Sequence, residues 1–158
     1  MFNIQKPYFY YFVITVSAFV LASCNQAEST KDQCQRFTQV MQTVVDETQA
    51  FKQNSKFDRD ALSQFINITE KSGREITSQT AFNDKSLITF QEKFSSLYDN
   101  YTSAGSDILK LNKIVSNPQI GYNSLKKIRQ SVLEEKELLT SFNKYCEPQG
   151  FKINNVAP

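Results

Sequence analysis

An all-α protein is what this sequence predicts: an antiparallel, up-down-up-down four-helix bundle behind an N-terminal leader. Three observations carry that reading. Apolar residues recur in alternating steps of three and four, the spacing that keeps one helix face against a partner. Gly and Pro number only four each in 158 residues, which suits long helices with few turns. The breaks between the periodic runs are short, and short connections favour antiparallel neighbours.

The leader comes first. Lys6 is the only charged side chain before Glu28, and from Tyr8 to Ala22 nearly every residue is apolar or aromatic. Such a run fits the apolar region of a secretory signal peptide, typically about 7–15 residues. It is short for a transmembrane helix, which needs roughly 20. The leader closes on Leu21-Ala22-Ser23-Cys24. That tetrad resembles the lipobox of bacterial lipoproteins: an aliphatic residue, two small residues, then cysteine. The resemblance implies alkylation of the Cys24 thiol by diacylglycerol and cleavage just before Cys24, with acylation of the new amine by a further chain such as palmitate. A single acyl chain gives only reversible membrane binding, so two or three are what make anchoring stable. Residues 1–23 are therefore expected to be the signal peptide and 24–29 a small, polar tether. Asn25 stands where an aspartate would hint at inner-membrane retention, so the expected destination is extracytoplasmic and leans to the outer membrane.

Residues 30–147 should form the bundle. The first helix starts near Ser29 or Thr30, with Glu28 and Asp32 suited to a helix N-terminus. Its inward row reads Cys34, Phe37, Met41, Val44, Thr48, Phe51. Asp58 can cap a second helix running to about Ser78, with a broader stripe of Ala61, Leu62, Phe65, Ile66, Ile68 and Ile76. Asn83 or Asp84 caps the third. There the register is clearest: Leu87, Phe90, Phe94, Leu97, Tyr101, Ala104, Ile108, Leu111, Val115. Gly105, beside Ala104, suits close approach of a neighbour. Asn117-Pro118 forces a boundary, because the residue before proline disfavours the helical region. The fourth helix shows Leu125, Ile128, Val132, Glu135, Leu139, Phe142 and Cys146, and Glu147-Pro148 ends it. Residues 148–158 read as a loose tail.

This topology places Cys34, at the start of the first helix, and Cys146, at the end of the fourth, at the same end of the bundle. Both fall on the inward row. A disulfide between them is expected, since an exported chain folds in an oxidising compartment.

Chemistry-bearing patterns are scarce. The sequence has no His, which removes the usual general base and the commonest metal ligand. No phosphate-binding glycine loop or cysteine cluster is present, so no metal, cofactor or catalytic residue is expected. Glu135 is the one charged residue in an inward row, either a paired buried carboxylate or a drift of the register. Net charge is +2, which gives no reason to expect a nucleic-acid partner. From Ile108 to Leu133 five basic residues occur with no acid: Lys110, Lys113, Lys126, Lys127 and Arg129. They cluster around the third turn, far from the lipid, where they could steer an acidic envelope protein. The expected function is that of a non-catalytic, lipid-anchored interaction or scaffold module. The alternative is a binding protein for a small apolar ligand held between the helices.

Overall fold

The computed structural model describes residues 27–56, 58–111 and 118–154. Four α-helices account for most of them: α1 (Thr30–Asn54), α2 (Arg59–Thr77), α3 (Lys85–Leu111) and α4 (Pro118–Cys146). A 3₁₀ turn over Glu147–Gln149 follows α4. The fold is the expected all-α four-helix bundle, with the closest backbone approaches between α2 and α3 and between α3 and α4. Cys24, Lys113 and Val115 lie outside the described residues.

Each helix start is fixed by a side chain that satisfies backbone N–H groups left without an intrahelical partner. The Ser29 hydroxyl accepts from the Asp32 amide at 3.1 Å and donates to the Asp32 carboxylate at 2.6 Å. Asp58 accepts from the Ala61 amide at 2.8 Å. The Asp84 Oδ1 accepts from the amides of Ser86 and Leu87. Pro118 opens α4 at its first position, where no N–H is needed.

The core of the end holding Ser29 and Cys146 is aromatic. The Phe37 ring meets Phe82, Phe94 and Phe142 edge-on at 5.3–6.1 Å, and Phe90 meets Phe142 at 5.5 Å. A disulfide joins Cys34 to Cys146 across this cluster, both fully buried, with Cα atoms 5.6 Å apart. Beside it lies Gln33, also fully buried. Its amide nitrogen donates to the Glu28 carbonyl and to Asn83, and its oxygen accepts from the amides of Asn83 and Asp84. One side chain thus ties the segment before α1 to the turn before α3.

Two expectations are corrected. Residues 148–154 are not a loose tail, and 155–158 lie outside the described residues. Gly150 takes a left-handed φ of 90°, which turns the chain back. Phe151 packs against the core and Ile153 is buried within it. Asn143 clasps the backbone N–H and C=O of Ile153, and Gln42 does the same for Asn154. The amides of α4 and α1 replace a strand neighbour, so the returning chain fills the seam between the two helices.

The second correction concerns α4. Leu125 and Val132 are exposed, while Ser124 and Ser131 are buried in their place. A strict seven-residue row drifts by about 20° per heptad on a straight helix. Cys146, Phe142 and Leu139 fix the rotation of α4 at its C-terminal end. Three heptads back, the accumulated drift of about 60° carries Leu125 off the interior face.

The α2–α3 seam is lined by small groups, with Thr69, Ser72, Gly73, Ala104 and Gly105 all buried. Gly105 has no room for a methyl: a Cβ would come within 2.9 Å of Ile66 Cγ1 and 3.3 Å of Phe65. Gly73 has room, its nearest neighbours lying at 3.6 and 3.7 Å. Opposite effects are therefore expected by denaturant unfolding. Gly73→Ala should stabilise by roughly 0.5–1 kcal/mol through helix propensity. Gly105→Ala should destabilise by roughly 1–2 kcal/mol, because overpacking outweighs that gain.

Closing the loop between Cys34 and Cys146, a separation of 112 residues, restricts the unfolded chain. Reduction, or the double variant Cys34→Ala/Cys146→Ala, should cost about 2–5 kcal/mol in the same measurement.

Candidate functional site

Two regions of the structure combine chemistry with access. One is a buried carboxylate site in the middle of the bundle. The other is the outer face of α4.

Glu135 projects from α4 toward α3 at half burial. Its two oxygens accept from the phenol hydroxyls of Tyr98, at 2.7 Å, and Tyr101, at 3.0 Å. The two tyrosines lie almost one turn apart on α3, so both rings address one carboxylate. The heptad row thus turned Glu135 inward, and hydroxyl donors rather than a cation meet it there. Burial pushes the Tyr98 and Tyr101 phenols well above the usual tyrosine range, and the neighbouring Glu135 charge adds to the effect. Both phenols are thereby kept as donors. No group of acidic, cysteine or histidine side chains able to hold a metal occurs among the described residues. A carboxylate whose oxygens are both engaged by neutral donors holds two helices in register.

The outer face of α4 is different. Among the described residues the exposed large apolar side chains are Ile120, Tyr122, Leu125, Val132 and Leu133, all on this helix. Tyr122, Leu125 and Leu133 keep 60% or more of their surface accessible. Steps of three and four from Tyr122 through Leu125, Arg129 and Val132 set them along one flank. Lys126 and Arg129 lie exposed among them, and Lys127 is half-buried. Lys110, at the end of α3, is exposed and paired at 3.8 Å with Asp107. The structure therefore brings Lys126 and Arg129 together with apolar side chains that the sequence row had assigned to the core. The drift of a straight helix against a seven-residue repeat was the signal that could have found them. Gln33 and the tyrosine pair at Glu135 were also missed, since a polar residue in a helical row carries no mark of burial.

No described helix is long and apolar enough to cross a membrane. Compared with known proteins, the chain matches no family model, no curated protein and no solved structure.

The site around Glu135 predicts an alkaline signature. With folded-state values raised above the unfolded value of about 10, the tyrosines favour the native state fully below pH 10, and that advantage is lost as pH rises beyond it. In a spectrophotometric titration Tyr98 and Tyr101 should remain protonated as pH rises past the usual tyrosine range. They should titrate only as the chain unfolds, and Tyr98→Phe should remove one of the two protected signals.

Proposed function

We propose that the protein is a lipid-anchored, non-catalytic module that holds or scaffolds another protein of the bacterial cell envelope. Acylated Cys24 would tether it at the extracytoplasmic face of a membrane, and the outer face of α4 would receive the partner. The observation that carries the reading is the row of exposed apolar side chains from Ile120 to Leu133 on one helix. A monomeric surface seldom gathers its large apolar residues on a single element unless that element meets something. Aromatic and aliphatic anchors beside a positive charge are the composition of interface hot spots. The acid-free stretch from Ile108 to Leu133 adds a positive field that selects an acidic partner and speeds its approach.

The anchor lies at the other end of the bundle. α4 is 29 residues long, about 40 Å at the usual rise. A tether before α1 leaves the N-terminal half of α4 reaching away from the lipid, where a partner can dock without entering the bilayer.

A photoreactive residue placed at Leu125 or Leu133 in the full chain, in native membranes, should give one discrete adduct. The same residue at Thr43, exposed on α1, should give none. The adduct should be lost in Lys126→Glu/Arg129→Glu. Leu125→Ser and Leu133→Ser should each weaken capture by about tenfold while changing stability by less than about 0.5 kcal/mol. Equal labelling from Thr43, or capture indifferent to charge reversal, would overturn the reading. Intact-mass measurement of the exported product tests the anchor separately, by the mass of acyl chains on a chain beginning at Cys24.

A further inference from the structure

A second exposed site lies at the opposite end of the bundle, in the groove between the start of α3 and the end of α4. Lys85, Ser86, Thr89, Phe90 and Lys93 line it from α3, and Ser141, Lys144 and Tyr145 from α4, around about 630 Å³. Phe90 and Tyr145, rings 6.0 Å apart, form an apolar floor. The three lysines stand exposed at the rim, and none forms an ion pair among the described residues. No carboxylate lines the groove. The nearest, Asp84, is already engaged by the hydroxyls of Tyr145 and Thr30 and by the amides that open α3. Those bonds hold its carboxyl below the usual range despite burial, so it stays an occupied cap.

Position supplies the second argument. Glu28 is strapped to this end: its carbonyl accepts from Gln33 and Asn83, and its carboxylate pairs with Arg36 at 2.6 Å. Glu28 is four residue steps along the chain from Cys24, a reach of at most about 14 Å. Thr30, at the start of α1, bonds to Asp84 at the mouth of the groove. A chain acylated at Cys24 therefore carries this groove at the level of the lipid headgroups.

We propose that the groove binds the headgroup of an anionic phospholipid, its phosphate among Lys85, Lys93 and Lys144 and its first apolar segment against Phe90 and Tyr145. Three basic side chains with no ion pair among the described residues, around an apolar floor, match a ligand that is charged at one end and apolar at the other. The occupant is the membrane lipid itself rather than free phosphate, because phosphate alone would leave the floor uncovered. This rests on the anchoring half of the function proposed above, and it gives the anchored domain a fixed orientation instead of a free swivel.

The test uses the full chain in a neutral detergent, titrated with dihexanoyl phosphatidylglycerol, with dihexanoyl phosphatidylcholine and with inorganic phosphate. Amide resonances are followed by NMR. Phosphatidylglycerol should shift Ser86, Phe90 and Tyr145 saturably, and the other two should not do so over the same range. Lys85→Glu/Lys144→Glu should weaken the interaction by about thirtyfold, given the contribution of each basic residue near an anionic surface. Lys93→Gln/Lys144→Gln should weaken it less, and Lys52→Glu/Lys110→Glu at the far end should leave it unchanged. Equal response to phosphatidylcholine, binding of inorganic phosphate alone, shifts confined to the outer face of α4, or no response would each overturn the proposal. An unmodified Cys24 in the exported product would defeat the anchor and leave this titration intact, so the two failures are distinguishable.

Discussion

The structure depends on the closure of one end. α2, α3 and α4 follow one another through close helix pairs, whereas α1 must be brought back to α4 across the whole length of the chain. The Cys34–Cys146 bond does this covalently, and Phe37, inserted among Phe82, Phe94 and Phe142, does it by packing. Gln33 completes the closure by bonding to backbone groups of the segments before α1 and before α3. The returning chain, with Ile153 in the core, then seals the seam between α1 and α4.

Much of this was legible from periodicity alone. The helices, their caps at Ser29, Asp58 and Asp84, and the meeting of Cys34 with Cys146 all follow from apolar spacing and antiparallel topology. What was not legible has a common cause. A heptad row assumes a helix wound to 3.5 residues per turn, whereas an ordinary α-helix has about 3.6. The interior row of α4 therefore slides from Leu125 and Val132 to Ser124 and Ser131 with distance from the fixed end. The buried polar residues were hidden for a different reason. Thr69, Ser72 and Gln33 are inside because a small group allows close approach or because backbone atoms need a partner, and neither condition is written in local hydropathy.

The carboxylate of Glu135 shows how the same row can tolerate a charge. Tyr98 and Tyr101 are large enough to fill the core and carry a hydroxyl at the tip, so one pair of residues supplies both packing and donors. Replacing them by phenylalanine would preserve volume and leave the carboxylate half-buried without bonds, the costly side of the hydrogen-bond asymmetry. Burial of the phenols raises their ionisation range and secures the donor state that Glu135 requires. The arrangement locks α3 to α4 through both carboxylate oxygens.

The two exposed surfaces then divide along the bundle axis. At the closed end, lysines with no ion pair among the described residues surround a small apolar floor. At the open end, the drift of α4 turns leucines, a valine and a tyrosine outward among lysines and an arginine. The rigidity of the closed end matters to the other. If the chain is anchored as proposed, a bundle free to swivel would present the α4 face in every direction, including into the bilayer, where its apolar residues would be consumed by lipid. A headgroup held between α3 and α4 at the anchored end would keep the axis upright and the α4 face toward its partner. The same positive charge that favours anionic lipid at one end favours an acidic protein at the other. Under the two proposals geometry separates the ligands: an open groove within short reach of Cys24 for a headgroup, a long helix flank for a protein surface.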